Sequence, residues 1–278
     1  MMPHRWIAAV LATSLLLQLL MGSPEAMGAE MTDHTTPVSW QEATSVGAVL
    51  QHWPGRIERL FDALDLDRPG LEAVRDAWAE GKAAQACEGL VAYYKSSSSG
   101  AWWRIDPATV GTGDPRPGRV AVADDILQDI FRGFGEQGTV PRTENGHLDW
   151  THRGPQGDDQ FTARLNRHPH LDALLHAHLA TGETRYVERL DQNLRDWLVA
   201  SEGIPNPEGF GRGRLEAALR MPRWCEVFYA LQHSEVFTPA TRLLLLASIP
   251  AHARYLQDSL VPNHNFATMQ MNGLGTLA

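Results

Sequence analysis

Apolar side chains recur at helical spacing from residue 168 onward, and this pattern limits the fold more than any other feature of the chain. Leu171, Leu174, Leu175 and Leu179 share one face of a helix, because residues three and four apart lie on the same side. A second stripe follows the break at Thr181-Gly182 and comprises Tyr186, Val187, Leu190, Leu194, Trp197 and Leu198. The arginines and glutamate of this segment fall outside the stripe, as an amphipathic helix requires.

Three further helices are predicted toward the C-terminal end. Residues 215–231 are apolar on most sides, which is typical of a helix buried between neighbours. Thr238 caps a helix that runs to about residue 260, and Pro262 and Asn263 open the last helix. Pro222 and Pro250 lie inside predicted helices, where proline removes a backbone hydrogen bond, so we expect a kink or a restart at each.

The first half shows the same period with more breaks. Residues 71–78 and 84–94 carry apolar helical stripes, residues 111–118 have a loop composition, and residues 126–130 suggest another short helix. No segment alternates apolar and polar residues for long, and no repeat of fixed period occurs. We therefore expect an all-α fold, an incomplete α/α toroid of antiparallel helical hairpins, in preference to a solenoid of repeats.

The N-terminal segment is typical of a secretory signal. Arg5 precedes an apolar run over residues 6–21, and small residues follow it. At about 16 residues the run is shorter than the roughly 20 that a membrane-spanning helix needs, although an uncleaved anchor is the alternative. We predict a signal peptide at residues 1–29, a helical domain at residues 30–278, and a periplasmic or secreted mature protein without membrane contact.

Charge and cysteine content limit the partners and the covalent structure. The net charge is −9 and no basic stripe occurs, which excludes nucleic acid as a partner. Lys82 and Lys95 are the only lysines; the arginines suit carboxylate and sulfate, although a GC-rich genome produces the same bias. Export would permit a disulfide between Cys87 and Cys225, but both lie in apolar helical patterns, where buried free thiols are common.

Five short segments, taken in their order along the chain, indicate a family resemblance. They are Phe161–His168 (FTARLNRH), the Thr181-Gly182-Glu183 turn with Tyr186, Asp196-Trp197, Leu215–Trp224 (LEAALRMPRW) and Asn263-His264. This ordered set resembles the N-terminal helical domain of the heparinase II/III family of polysaccharide lyases, which includes some alginate lyases. The resemblance spans residues 70–278 and is strongest from residue 161 onward.

The resemblance implies a toroid followed by β-sandwich domains and a β-elimination at a uronic acid in an acidic polysaccharide. The sugar carboxylate must be neutralised before its neighbouring C5 proton can be removed, and an acid then protonates the leaving O4. The family's Asn-His pair corresponds to Asn263 and His264, which we predict to be catalytic. Read without the family, Asn263 is a helix N-cap and His264 a surface residue.

Two departures from the family pattern bear on catalysis. The family's tyrosine acid/base lies several dozen residues beyond the Asn-His pair, whereas this sequence ends at Ala278, and Ala267 stands where some members carry a glutamate. We therefore expect the chain to be truncated at its C-terminal end, without the β-sandwich. The expected function is the helical substrate-binding part of a uronate-polysaccharide lyase, with little activity by itself.

Six residues are predicted to contact the polysaccharide: Arg220, Trp224, Asn166, Arg167, His168 and Trp150. Arg220 and Trp224 share one side of a helix, where a guanidinium and an indole suit a sugar carboxylate and a pyranose face. The alternative is that Trp224 is a core residue and that Arg220 pairs with Glu216 or Glu226. His168 precedes Pro169 and alternatively caps the helix, and Trp150 stands alone in a polar loop as a sugar-stacking candidate.

Other sites and functions are conceivable for a chain with these residues. The histidines near residue 170 lack carboxylate or thiolate partners at ligand spacing, so neither a metal nor a cofactor is expected. A glycoside hydrolase on an α/α toroid would need two opposed carboxylates, for which Asp158, Asp159 and Glu216 are available. A non-catalytic module that binds acidic polysaccharide is the third possibility.

Overall fold

The computed structural model describes residues 40–96, 117–201 and 213–277. Its helices, in chain order, are α1 (Val46–His52), α2 (Pro54–Ala63), α3 (Glu72–Ala79), α4 (Ala83–Ser96), α5 (Pro117–Leu127), α6 (Asp159–Leu165), α7 (Pro169–Thr181), α8 (Arg185–Ala200), α9 (Arg214–Ala230), α10 (Pro239–Asp258) and α11 (Phe266–Leu277). A two-stranded antiparallel hairpin, β1 (Ile130–Arg132) and β2 (Gln137–Thr139), follows α5. The predicted signal peptide lies outside the described residues. Within the described ranges, no helix combines the length and apolarity needed to cross a bilayer.

The hairpin corrects one sequence prediction. The helix expected over residues 126–130 ends at Leu127, and Asp129 adopts a left-handed conformation with φ 58°. Ile130 therefore enters a strand, where it pairs with Thr139, while Phe131 pairs with Gly138. Phe131 is buried, so the hairpin presents one side chain to the helices, and a three-residue strand is too short to show an alternating pattern.

The C-terminal helices follow the predicted stripes. Gly182 ends α7 in the left-handed region at φ 75°, a conformation that glycine adopts without strain. The hydroxyl of Thr238 accepts from the Thr241 amide at the start of α10, which confirms the predicted cap. Helices α9 and α10 each continue through their internal proline, Pro222 and Pro250, so neither restarts there. Helix α11 begins at Phe266, three residues beyond Asn263, where the sequence predicted its start.

Contacts between these helices fix their directions. The His168 ring at the start of α7 packs against the Trp197 ring near the end of α8, with centroids 5.0 Å apart, so these helices are antiparallel. Arg220, early in α9, bonds to His252 near the end of α10. A Cβ on Gly273 of α11 would lie 2.9 Å from the Ala218 carbonyl oxygen of α9. Since Thr276 also meets Cys225 further along both helices, α9 and α11 are parallel.

One end of the helical array therefore carries the starts of α7, α9 and α11 together with the ends of α8 and α10. We call it the loop end. The prediction of an all-α fold of antiparallel hairpins is confirmed, and the loop end gathers residues from most of the sequence motifs. Loops at the end of a helical array often carry binding residues, because the helix flanks are occupied by packing.

The core is continuous and contains several large side chains. Trp150, Trp197, Trp224 and Arg220 are among its largest fully buried residues. Each fully buried leucine or aromatic contributes about 1.5–3 kcal/mol relative to exposure.

Cys87 and Cys225 are free thiols, so the disulfide alternative is wrong. Burial raises the pKa of both to about 12, which keeps them protonated and unreactive at neutral pH.

Candidate functional site

Asn166, at the C-terminal end of α6, joins three parts of the chain. Its side-chain amide donates to the carbonyls of Trp150 and Thr162, each at 2.9 Å, and its Oδ1 accepts from Trp197 Nε1 at 2.9 Å. The residue is 1% exposed. Its hydrogen-bonding groups are thus used inside the protein, and the prediction that its side chain contacts the polysaccharide is wrong.

Arg220 lies fully buried beneath the loop end. Its Nε and Nη2 both reach His252 Nε2, at 3.1 and 3.0 Å, and its Nη1 donates to the Asn166 carbonyl at 3.1 Å. The guanidinium lies 4.5 Å from the centroid of the Trp197 ring, an arrangement in which the π face stabilises a cation. Burial lowers its pKa to about 9, so Arg220 remains charged at neutral pH.

This burial decides between the readings of Arg220 and Trp224. Trp224 is 0% exposed and donates from Nε1 to His168 Nδ1 at 2.9 Å, so its assignment to the core is confirmed and a role in stacking on a sugar is wrong. Arg220 has no exposed surface for a sugar carboxylate. Arg220 does not hydrogen-bond to Glu216 either; that carboxylate pairs with Arg167 at 2.8 Å.

His252 completes the buried pair and was missed by the sequence reading. Its Nδ1–H donates to the Ser248 carbonyl at 2.9 Å, which leaves Nε2 as the acceptor for Arg220. Burial, and then the charge of Arg220, hold the pKa of His252 well below its usual value. A neutral imidazole is the form that can receive the Arg220 hydrogen bonds. The only sequence signal was a histidine on the inner side of a long apolar helix.

His168 and Trp150 occupy the same interior. His168 adopts φ 59° at the N-cap of α7 without a side-chain capping bond, so its side chain does not cap the helix. Its ring is buried. Burial is the main cause that holds the pKa of His168 well below its usual value, and the neighbouring His170 is the second. Trp150 is 1% exposed, with its ring centroid 5.8 Å from those of His168 and His170. Direct sugar contact by either residue is therefore a wrong prediction.

Asp196, from the Asp196-Trp197 motif, anchors the polar loop that carries Trp150. One carboxylate oxygen accepts from the Leu148 amide at 2.8 Å, and the other lies 2.5 Å from His147 Nδ1. Asp196 is 1% exposed. The motif therefore holds residues 147–150 against α8, which explains why a polar segment rich in glycine and proline has a buried tryptophan.

Among the predicted binding residues just before α7, Asn166 and His168 are buried, whereas Arg167 is partly exposed. It forms an ion pair with Glu216 at 2.8 Å, with the two side chains 17% and 11% exposed. Gly213 precedes this pair at φ 81°, and a side chain there would collide with the Glu216 carboxylate. The pair thus lies over the start of α9, and the Arg167 side chain stays partly exposed.

Asn263 and His264 lie exposed at the loop end, in the turn that leads into α11. His264 Nδ1 accepts from the Phe266 amide at 3.2 Å, and its ring packs against Phe266 with centroids 4.3 Å apart. The neutral ring therefore carries its proton on Nε2. Asn263 does not cap the helix, and no hydrogen bond within the described residues engages its side-chain amide. Two hydrogen-bond donors on adjacent residues thus remain available to a ligand.

Gln270 fixes the segment that carries this pair. Its Nε2 donates to the Ser259 carbonyl at 3.0 Å, and its Oε1 accepts from the Val261 amide at 3.2 Å. The residue is 0% exposed. A polar residue in the apolar stripe of α11 was the sequence signal for this role. The turn holding Asn263 and His264 is thereby tied to a buried point on its own helix.

Arg220 and the Asn263-His264 pair, which were predicted to act on the same polysaccharide, do not contact each other directly. Within the described ranges, no hydrogen bond or ion pair joins Arg220 to Asn263 or His264. Tyr255 of α10, which sequence reasoning did not select, interacts with the charges of Arg214, Arg220 and Glu216, and burial raises its pKa. Nowhere in the described ranges do three His, Cys, Asp or Glu residues form a group able to hold a metal ion.

Comparison with known proteins relates this architecture to a family. A family model described as Heparinase II/III N-terminus matches residues 60–277. A heparin-sulfate lyase of Bacteroides stercoris is 29% identical over 142 residues, covering 50% of this chain and 20% of that protein. One from Pedobacter heparinus is 24% identical over 244 residues, covering 83% of this chain and 36% of that protein. The chain thus spans at most about a third of the length of these relatives.

Solved structures show the same fold. The crystal structure of heparan sulfate lyase HepC from Pedobacter heparinus has a TM-score of 0.63 and 23% identity, covering 76% of this chain and 34% of that one. The heparinase III BT4657 gene product has a TM-score of 0.66 and 21% identity, covering 79% of this chain and 36% of that one. At these identities the likeness establishes the arrangement of helices alone.

Proposed function

This chain belongs to the heparinase II/III family, and we propose that it forms the helical, substrate-binding part of a polysaccharide lyase acting on a uronate-containing polymer. The observation that carries the proposal is the exposed Asn263-His264 pair on a turn tied down by Gln270. The curated relatives are named heparin-sulfate lyases, which supports a sulfated uronate polymer such as heparan sulfate over alginate as the substrate.

The proposed chemistry is β-elimination. The Asn263 amide and the His264 Nε2–H donate to the uronate carboxylate, which makes the neighbouring C5 proton more acidic. A base removes that proton, the electrons of the C5–H bond form the C4–C5 double bond, and the C4–O4 bond breaks. An acid returns a proton to O4. The roles assigned to this chain are binding and polarising the carboxylate.

Arg220 supports this site from below. Its bond to the Asn166 carbonyl fixes the backbone immediately before Arg167, and its bonds to His252 join α9 to α10. A residue buried in this way affects catalysis through the position of others. We therefore assign Arg220 as a positioning residue and Arg167 as a candidate contact for substrate.

We also propose that the protein is exported. A basic start, a short apolar run and small residues at the cut point form the signal at residues 1–29. A polymer too large to enter a cell has to be met in the periplasm or outside. The export signal and the proposed substrate class therefore support each other.

The carboxylates available to a glycoside hydrolase are already engaged. Asp158 accepts from the Gln160 amide at 2.9 Å, Asp159 pairs with Arg153 at 2.9 Å, and Glu216 pairs with Arg167. Inverting and retaining hydrolases both need two opposed carboxyl groups free to act on one bond. The α/α-toroid glycoside hydrolase is therefore disfavoured.

The test measures binding and elimination separately. Heparan sulfate, alginate and hyaluronan are offered to the chain, and products are followed by the ultraviolet absorbance of the unsaturated uronide, which only elimination creates. Binding of uronate oligosaccharides with unsaturated product supports the lyase. Binding without product supports the non-catalytic module instead, and hydrolysis to saturated ends would support the glycosidase. No binding to any uronate polymer would refute the proposal.

A further inference from the structure

The tip of the β-hairpin presents an exposed aromatic ring. Phe134 is 50% exposed and is the most exposed of the large hydrophobic residues in the described ranges. The tip is not loosely attached, because a Cβ on Gly133 would lie 2.6 Å from the buried Phe161 ring of α6. The hairpin backbone thus lies directly on α6 and holds Phe134 at a defined place on the surface.

Two arginines flank this ring. The Arg164 guanidinium lies 5.0 Å from the Phe134 ring centroid, and that of Arg167 lies 5.4 Å from it. We call Phe134, Arg164 and Arg167 the hairpin-tip patch. Arg164 and Arg167 come from the end of α6 and the residues after it, so the patch adjoins the start of α7 and hence the loop end.

Arg164 differs from its neighbours in having no acidic partner. Arg167 is paired with Glu216 at 2.8 Å and Arg223 with Asp172 at 2.7 Å. In the described ranges no carboxylate lies within ion-pair distance of Arg164, and its Nε is buried without a hydrogen-bond partner. The nearby Glu136 directs an oxygen to the Gln156 amide at 3.3 Å. Burial is the main cause that lowers the pKa of Arg164, and the positive charges of Arg223 and Arg167 lower it further. This is expected of a cation without a neighbouring anion.

We propose that the hairpin-tip patch is an accessory subsite for an acidic sugar residue. The sulfate or carboxylate binds the unpaired Arg164, whose planar fork matches either anion, and the apolar face of the pyranose packs on Phe134. The anion would relieve the repulsion among Arg164, Arg167 and Arg223. This inference rests on the proposed function and deepens it, since it adds a second contact for the same polymer at the loop end.

Oligosaccharide length separates the two sites. A disaccharide engages the Asn263-His264 turn alone, whereas an octasaccharide of heparan sulfate also reaches the patch. We expect Arg164→Ala to weaken octasaccharide binding by about 10- to 100-fold, the loss typical of a charged hydrogen bond, and Phe134→Ala by about tenfold. Disaccharide binding stays unchanged in both. The control is Arg153→Ala, which removes an arginine that is exposed and already paired with Asp159.

The outcomes distinguish this inference from the function on which it rests. If Asn263→Ala weakens octasaccharide binding while Arg164→Ala and Phe134→Ala match the Arg153→Ala control, the subsite is overturned and the lyase site stands. If the unaltered chain binds no uronate oligosaccharide, both fail. Arg164→Lys keeps the charge without the fork, so partial recovery of affinity over the alanine variant is expected. Thermal unfolding of each variant confirms that a loss of binding is not a loss of fold.

Discussion

Arg220 directs two of its donors to a single acceptor, His252 Nε2. Both residues lie in the core and neither is exposed to solvent. A buried cation is normally balanced by a carboxylate. Here the balance comes from a neutral imidazole, the Asn166 carbonyl and the Trp197 ring. The arrangement joins α9, α10 and the start of α7 at one point, directly under the loop end.

Removing the acceptor should therefore destabilise the fold. We expect His252→Ala to lower the free energy of unfolding by about 3 kcal/mol, because it leaves a buried charge without its partner and opens a cavity. Urea unfolding measures the change. His233→Ala, at an exposed histidine, is the control and should stay within about 0.5 kcal/mol of the unaltered chain. Equal midpoints for the two variants would contradict the role of the pair.

Stability should fall in mild acid. His168 and His252 have pKa values well below the usual 6.5, and burial lowers the pKa of His170 to about 3. Above pH 6.5 these rings are neutral in both states, so they add no pH dependence. Below it the unfolded chain takes up protons that the folded chain does not, so stability declines with falling pH, for His170 down to about pH 3. Below pH 6.5 each ring lowers the free energy of unfolding by up to about 1.4 kcal/mol for each pH unit.

The measurement is the urea midpoint at several pH values between 7 and 4. Replacing His170 by Phe removes one such group while retaining an aromatic ring against Phe131, so it should flatten the slope. A stability that is constant over this range would show that the three rings titrate alike in the folded and unfolded chain.

The Asn-His pair should matter for ligand and not for stability. Asn263→Ala is expected to weaken uronate-oligosaccharide binding and to reduce any elimination rate by about 10²–10³-fold, the cost of losing one preorganised donor. The unfolding midpoint should not move, because Asn263 is exposed. Binding isotherms and initial rates of unsaturated-uronide formation test this. Asn272→Ala, an exposed asparagine on the same α11, is the matched control and should behave as the unaltered chain.

Gln270 should control the same site at a distance. Gln270→Glu keeps an acceptor for the Val261 amide but loses the donor to the Ser259 carbonyl, so the turn should loosen. We expect weaker oligosaccharide binding together with faster hydrogen exchange at His264, whose amide donates to the Val261 carbonyl at 3.1 Å. Met271→Ala changes the neighbouring exposed residue and should alter neither. Weaker binding with unchanged exchange would mean that Gln270 acts by another route.

Export is testable on the secreted fraction. The mature chain should begin between about residues 23 and 30, where small residues follow the apolar run. N-terminal sequencing of protein from the periplasm or the medium measures this. An intact Met1 on protein recovered with membranes would support the uncleaved anchor instead.

Much of the helical architecture was readable from residue order. The stripe of α8 and the Thr238 cap of α10 were correctly predicted, because period and capping depend on neighbours within a few residues. The hairpin at Ile130 was missed because its strands have three residues each. The start of α11 was placed three residues early because His264, not Asn263, accepts from the first helical amide. Helical period and capping patterns thus predicted where the helices lie better than they predicted where each helix begins or ends.

The sequence by itself determined where most helices lie, which residues share a face, and which family the ordered motifs resemble. It could not say what each face meets. Arg220 and Trp224 were correctly placed on one side of a helix, but only packing against α7 and α10 decided that this side faces the core. Trp150 looked exposed in a polar loop until Asp196, distant in sequence, anchored that loop. Burial depends on contacts between segments far apart in the chain, and spacing within a segment carries no information about them.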